Sequence, residues 1–579
     1  MNALVSRISD LRVAFFMIIS REKLALLLMG CVFILAWLST DHYPPWTAFH
    51  SDATAFLALI IYLVVVGIGG RFGAEFIFLL VISMMPLLQG WLGMIYFGGD
   101  ALVASGYLVG FAFAFHAGSN VLEKKEAFFI ICFSFVFMAI ASGGVALCQW
   151  LGVSLDFLPS IPARVGRAYA NFAQPNQFAT MMSLAVLMSF GLRERQILGD
   201  LSFSIFVVFS VFCITLSQSR AGILEIGLMT GLMIWLKARR IATASWTCVV
   251  VPLLALLFSL CLLPVLYDLM EIGDESLRDY LSPGVRWIHW ETAAKAIAMQ
   301  PWMGFGWNQT SVALAHTVNM SAGSGELIEH SHNIFLDLLL WNGVPLGVFI
   351  ILFVFLWIGV SWFRSEAIND FIILIAFLMV GLHSLVEFPL EYAYVSLPLF
   401  FLLGLVSSNK LIEGPVLMSR ALWALFSVWL VIFCVGVWDY LRAEERFRDL
   451  RMESAGIGYE SAGNADKPLV LLSQLDGFLR FARYQAIPGM SDERLDWMGK
   501  VAERYGYPPV LFRYALALGL NNRQEAASFA LQRICQTQSE AMCEESRSNW
   551  AVMQKRYPQL SEVKMPYRVE KSSLPPVLH

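Results

Sequence analysis

Charge is scarce in this chain. Only 15% of its 579 residues are Asp, Glu, Lys or Arg, against 58% hydrophobic and 14% aromatic residues. A soluble globular protein of this length carries far more charge, so that class is excluded. The 40 basic and 44 acidic residues nearly cancel to a net −4, and no basic surplus points to nucleic acid as a partner. No internal repeat is detectable in the apolar part of the chain. The segments between apolar runs lack a glycine-rich nucleotide loop and an acidic metal motif. Cysteine is unavailable for cross-linking along most of the chain. Seven of the nine (31, 132, 148, 213, 248, 261 and 434) fall in apolar runs, where they behave as small hydrophobes. Cys535 and Cys543 lie outside those runs, and an oxidising compartment would permit a disulfide between them.

What the chain has in abundance is long apolar runs. They occur near 24–40, 53–70, 74–93, 101–119, 127–151, 174–192, 201–217, 221–236, 245–267, 334–362, 371–387, 393–408 and 421–438. Each approaches the length that crosses roughly 30 Å of hydrocarbon as a helix. The expected fold is therefore an all-α polytopic integral membrane protein with about thirteen transmembrane helices, within a range of about 12–14. The first run is too long for a signal peptide, lacks a small-residue cleavage site and is followed by many more.

Orientation follows from the placement of Lys and Arg. With the N-terminus inside, the inner loops carry Arg71, Lys124, Lys125, Arg193, Arg195, Lys237, Arg239, Arg240, Arg364, Lys410 and Arg420, whereas "DHYPPWTAFHSD" and "GWLGMIYFGGD" carry none. Three outer segments break the rule: 152–173 with Arg164 and Arg167, "LSQSRAG" with Arg220, and the long loop 268–333 with Arg278, Arg286 and Lys295. A single such arginine is explained by snorkelling to headgroups or by a structural carboxylate. Three clusters on one face point to an anionic ligand. Within the long loop, a Pro-Gly turn precedes an aromatic-rich helix carrying Arg286, Trp287, His289 and Trp290, and "PWMGFGWN" closes it with irregular backbone.

The membrane domain is read as 1–440, with the outer loop at 268–333. Residues 441–579 have ordinary soluble composition and helical apolar spacing, and form a second, helical domain. "YALALGLNNRQEAASFAL" has the small-residue pattern of a tetratricopeptide-like hairpin. Asn522 with Glu525 supplies a helix-start signal, the last span is expected to run on outward as an amphipathic helix, and the tail "MPYRVEKSSLPPVLH" has the composition of an unstructured end.

Chemistry-bearing residues collect on the outer face. Guanidinium forks match phosphate oxygens bidentately, so arginines such as Arg167, Arg220 and Arg286 can hold a diphosphate and stabilise the charge that develops as it leaves. Imidazole titrates near neutrality, so His332 can take the proton of an attacking hydroxyl; the alternative is a hydrogen-bonded residue or cap at a helix start. The His330-x-His332 pair has no carboxylate or cysteine set beside it, and no metal is expected. His289 and His383 read as structural or supporting residues. Glu387 and Glu391 can orient a histidine or arginine, or merely pair with one, and the pairing role is the better reading for Asp337.

"HSHNIFLDLLLWNG" contains His-Asn, nine residues, then Gly, and resembles the signature of the O-antigen ligase and polymerase superfamily. "SQSRAG" resembles that family's arginine motif at an outer helix start, and "GVRWIHWETAAKAIAMQPWMGFGWNQ" its large outer loop. "GRAYANFAQPNQFAT", the doubled histidine, "HSLVEFPLEYAY" and the C-terminal domain are similar to bacterial protein O-oligosaccharyltransferases of the pilin-glycosylating, PglL-like type. That resemblance implies an inner-membrane transferase, its site and C-terminal domain facing the periplasm. It would move an oligosaccharide en bloc from undecaprenyl pyrophosphate to Ser or Thr of an exported protein such as a type IV pilin, without metal or cofactor. By the same carry-over Arg220 and Arg286 engage the pyrophosphate and His332 activates the acceptor. Arg167, Gln174, Asn176, Gln177, His330 and Asn333 bind substrate. The alternatives are an O-antigen polymerase or lipid A-core ligase using the same donor, a lipid-linked glycan transporter, and a binding scaffold built on the C-terminal helices. "LLLWNGVPLG" lacks the longer glycine-threonine continuation of the sugar-acceptor ligases. Deep charges are sparse for a transporter.

Overall fold

The computed structural model describes residues 20–155, 161, 166–270, 286–317, 327–407, 412–413, 416–457 and 467–565. Arg164, Arg278, the Pro283-Gly284 turn and the tail beyond Met565 lie outside them.

A chain in hydrocarbon must satisfy its own N–H and C=O groups, and a helix covers every apolar run. In order these are α1 Arg21–Trp37, α2 Phe49–Val66, α3 Ala74–Ser83, α4 Met85–Trp91, α5 Gly98–Asn120, α6 Lys124–Leu151, α7 Pro175–Glu194, α8 Asp200–Leu216, α9 Arg220–Ala238 and α10 Trp246–Leu269. After α11 Arg286–Met299 and the short α12 Thr310–Ala315 come α13 Ile334–Arg364, α14 Ile368–His383, α15 Ala393–Ser407 and α16 Val416–Ser454. Among the described residues, eight helices are long and apolar enough to cross a membrane, and Asp200–Leu216, Ile368–His383 and Ala393–Ser407 are shorter apolar ones. The chain is a polytopic membrane protein. The described strands are two-residue pieces, Arg71–Phe72 and Ile412–Glu413, paired antiparallel.

Two faces of the bundle separate cleanly. Phe113, Phe128, Phe178, Phe190, Phe203 and Phe401 are fully buried. Outward, α13 exposes Phe349, Leu352, Phe355, Leu356 and Phe363, and α10 exposes Leu254, Leu257 and Phe258, as helices facing acyl chains do. Small residues let helices close on one another: a Cβ at Gly118 of α5 would lie 1.9 Å from the Phe401 carbonyl oxygen of α15.

Two apolar runs are less regular than their hydropathy implies. The run at 74–93 divides at Met84, because Pro86 lies in the first turn of α4 and cannot continue the α3 ladder. The run at 334–362 is two helices merged across Gly343, whose φ of 74° leaves the helical region, with Pro345 just beyond. α16 is unbroken for 39 residues and passes Tyr440 without interruption.

Beyond α16, five α-helices follow among the described residues: α17 Ser473–Arg483, α18 Asp492–Tyr505, α19 Pro508–Leu520, α20 Gln524–Thr537 and α21 Glu540–Arg556. They are amphipathic. α18, for example, buries Leu495, Met498, Val501, Ala502 and Tyr505 and is capped by the Ser491 side chain. Cys535 and Cys543 form a disulfide, with Cα atoms 4.6 Å apart, across the α20–α21 turn. The helix-start signal at Asn522 is displaced: α20 begins at Gln524 without a side-chain cap, and Asn522 takes a left-handed turn conformation with φ of 59°. This unit docks on the membrane part through Arg504, which grips Asp100 with two hydrogen bonds of 2.9 and 3.2 Å. Tyr96 also donates to Glu503 at 2.7 Å.

Candidate active site

One carboxylate gathers the site. Glu387 lies four residues past the end of α14 and is only 6% exposed. Its Oε1 accepts from an Arg286 Nη atom at 2.6 Å and from Asn176 Nδ2 at 3.0 Å, while its Oε2 lies 3.0 Å from His332 Nδ1. Arg167 extends the network, donating to the Asn176 side-chain oxygen at 3.3 Å and to the Ser217 carbonyl at 3.0 Å. Four segments far apart in sequence thus converge on residues that the sequence singled out.

Burial opposes ionisation of Glu387, but the hydrogen bond and charge of His332 and the charge of Arg286 outweigh it and hold the carboxyl down to about 2. An ionised carboxylate only accepts hydrogen bonds, so His332 carries a proton on Nδ1, and in the neutral imidazole the lone pair then lies on Nε2. That is the tautomer a general base needs, and Glu387 also stabilises the imidazolium that would form. His289 stacks on His332 with ring centroids 5.6 Å apart. Burial, helped by the nearby His332 and Arg286, lowers His289 to about 4, so it stays neutral beside them.

The backbone that presents His332 is held at many points. His332 has φ of 55°, a left-handed conformation unusual for a side-chain-bearing residue. Before it, the Ser331 N–H donates to Asp337 at 3.0 Å, and His330 Nε2 meets Glu391 at 3.0 Å. After it, Asn333 caps α13 by accepting from the N–H groups of Phe335 and Leu336 at 3.0 and 3.3 Å, and the Ile334 N–H donates to the Ser384 carbonyl at 2.8 Å. Burial works against a charge on His330, but the Glu391 carboxylate beside it raises it to about 9.

The nine-residue interval to Gly343 has a packing reason. The Pro301–Gly306 turn lies against the break in α13: Phe305 and Gly306 donate to the carbonyls of Leu340 and Trp341 at 2.8 and 3.0 Å, and Val344 donates to Pro301 at 2.7 Å. A Cβ at Gly343 would stand 2.4 Å from the Trp302 carbonyl oxygen, so only glycine fits there. The large loop is thereby fastened to α13, the helix that starts just after His332.

The structure brings Arg167, Asn176, Arg286 and His332 into one network. Arg220 opens α9 immediately after the turn gripped by Arg167, whose Nη also reaches the Gln218 carbonyl at 3.4 Å, and it is exposed there. Gln174 precedes α7 in extended backbone, and Gln177 is buried with neither amide atom hydrogen-bonded among the described residues. Asn333 and His330, expected as substrate contacts, are engaged in the cap and with Glu391. Glu387, for which orienting and pairing were both open, contacts Arg286 and His332 alike, and His289 comes nearer to His332 than its sequence context implied. Among the described residues, the His/Asp/Glu group close enough to hold a metal is Asp41, His50 and Glu444, not the His330–His332 pair.

Two family descriptions match this chain: "O-Antigen ligase" over residues 205–351 and "Virulence factor membrane-bound polymerase, C-terminal" over 372–554. Between them they contain Arg220, Arg286, His332 and Glu387. The chain is thus similar to the O-antigen ligase family over residues 205–351. Within this family setting, it is similar to the "General O-oligosaccharyltransferase" of Acinetobacter baylyi, at 29% identity over 530 residues covering 87% of this chain and 90% of that protein. It is also similar to the "ComP-specific O-oligosaccharyltransferase" of the same organism, at 27% identity covering 76% of this chain and 80% of the relative.

Proposed function

We propose that the protein transfers an oligosaccharide en bloc from undecaprenyl pyrophosphate to a Ser or Thr hydroxyl of an exported protein, of which a pilin is the specific candidate. It does so in the bacterial inner membrane, with about thirteen crossings, and with the site and the helices after residue 440 on the periplasmic side. The observation that carries the reading is the His332–Glu387–Arg286 cluster, with Asn176 and Arg167 joined to it. Nε2 of His332 takes the proton of the acceptor hydroxyl as its oxygen attacks the sugar carbon. The bond from that carbon to the diphosphate oxygen breaks, its electron pair stays on the diphosphate, and lipid pyrophosphate leaves. Arg286 and Arg220 offer guanidinium donors to that growing charge. Glu387 holds the imidazole tautomer and anchors one nitrogen of Arg286.

A protein acceptor is favoured over the sugar acceptor of a ligase or polymerase by the two oligosaccharyltransferase relatives, each aligned over most of its length. The helical unit on Asp100 and Glu329 stands beside the His330–His332 segment, a fitting place to receive a polypeptide. Purified protein in liposomes with a lipid-linked glycan and a candidate pilin should give glycoprotein without added nucleotide or metal. Transfer to a lipopolysaccharide core but to no protein would overturn the acceptor assignment. A glycan carried across the bilayer with no new glycosidic bond would overturn the enzyme assignment.

A further inference from the structure

A second polar contact lies one helical turn below the one that holds Glu387. Asn176 and Thr180 are four residues apart on α7, and Glu387 follows His383, the last residue of α14, by the same interval, with the Glu387 N–H on the His383 carbonyl at 2.9 Å. Residues at this spacing stack on one side of a helix. At the upper level Asn176 donates to Glu387 at 3.0 Å. At the lower level the Thr180 hydroxyl lies 2.7 Å from His383 Nδ1 and 2.7 Å from Glu225 Oε1 of α9. Thr180, Glu225 and His383 are each fully buried. The helices are close here: a Cβ at Gly222 of α9 would lie 2.9 Å from the Ala179 Cβ of α7.

One hydroxyl therefore joins three helices, and each of them carries a residue of the site: Asn176 on α7, Arg220 on α9 and, just past its end, Glu387 after α14. Burying a carboxylate and an imidazole in the bundle is costly, and apolar residues of the same volume would pack three helices at least as stably. What apolar packing does not supply is a fixed register. A hydroxyl is the one group in the trio that must donate to one neighbour and accept from the other, whichever end holds the proton.

We propose that Thr180, His383 and Glu225 are positioning residues for the transfer reaction, a buried tether that sets α7, α9 and α14 so that Asn176, Arg220 and Glu387 meet the diphosphate and His332. The inference rests on the function proposed above. Thr180→Val breaks both hydrogen bonds without changing volume. It is expected to lower kcat about tenfold or more with little change in the acceptor KM, in the range seen when supporting hydrogen bonds to reacting groups are lost. Thr180→Ser restores the rate. In an Asn176→Ala background, Thr180→Val causes no further loss, since the lower contact acts through the upper one. Glu225→Leu, which keeps an apolar fill, shows the same fall in kcat and serves if Thr180→Val does not fold. Wild-type turnover in folded Thr180→Val or Glu225→Leu overturns the proposal. So does a loss that follows the amount of folded protein alone, or one that adds in full to Asn176→Ala. Absence of transfer by the wild-type protein in the same assay instead overturns the function itself.

Discussion

The membrane bundle and the helices beyond residue 467 treat buried charge in opposite ways. In the C-terminal unit, ionic groups brace the scaffold. Arg446 reaches Asp476 at 2.8 Å, and the same carboxylate accepts from the Leu469 N–H at 3.1 Å; Asp439 on the C-terminal stretch of α16 accepts from Leu471 and Leu472 at 2.6 and 3.1 Å. Such groups fasten loops to helices whose apolar stripes already define the fold. The bundle has apolar residues on every side and draws its cohesion from packing. A carboxylate kept there at a cost, such as Glu387, marks a task rather than a brace. The same residue type thus reports stability in one region and chemistry in the other.

That contrast is sharpest in three substitutions. His332→Ala should lower turnover by about 10²–10⁴-fold, the usual worth of a positioned acid or base, and Glu387→Gln should lose a large part of the same factor. Both should melt within a few degrees of wild type when followed by fluorescence in detergent. Asp476→Asn should do the reverse. Leaving Arg446 buried without its carboxylate costs roughly 3–5 kcal/mol, read as earlier unfolding of the C-terminal helices, while turnover per folded molecule stays near wild type. An inactive but stable Asp476→Asn protein would erase the distinction between the regions.

Smaller effects refine it. Replacing both Cys535 and Cys543 by serine removes a short loop closure worth about 2–3 kcal/mol in a chain-entropy account. Limited proteolysis should show the α20–α21 end opening first. The smallest effect concerns pH. The His330 site is raised to about 9 beside Glu391, above the 6.5 of a free imidazole. Its contribution is complete below about pH 6.5 and is lost as pH rises through 9. The melting temperature should therefore decline over that window, and His330→Gln should flatten the decline.

Much of the bundle was legible because hydropathy is a local, one-dimensional property and a membrane enforces helices wherever it is sustained. The breaks were less so. Pro86 and Gly343 sit inside runs whose average hydrophobicity hides them, and what fixes the Gly343 break is contact with Trp302, forty residues away in sequence. The chemistry of guanidinium and imidazole pointed to Arg167, Arg286 and His332. Their meeting point could not be read the same way, since Glu387 lies 55 residues from its nearer partner, His332, and no local pattern reports which distant cation a carboxylate will face. The tether beneath it was hidden for the same reason: Thr180 reads as an unremarkable threonine in an apolar helix. In the C-terminal unit, alternation of apolar and charged residues revealed helices, but the start of α20 followed the turn at Asn522 rather than a side-chain cap.

The stretch from His332 to Gly343 behaves as a gauge block. Two and a half turns of helix, about 13.5 Å, stand between the imidazole and the place where the Pro301–Gly306 turn is clamped. Inserting or deleting one residue would swing the glycine about 100° around the axis and drive a neighbouring side chain into the Trp302 carbonyl. Loop and base must then vary together or not at all, so length along this segment is constrained more tightly than the identity of most residues within it.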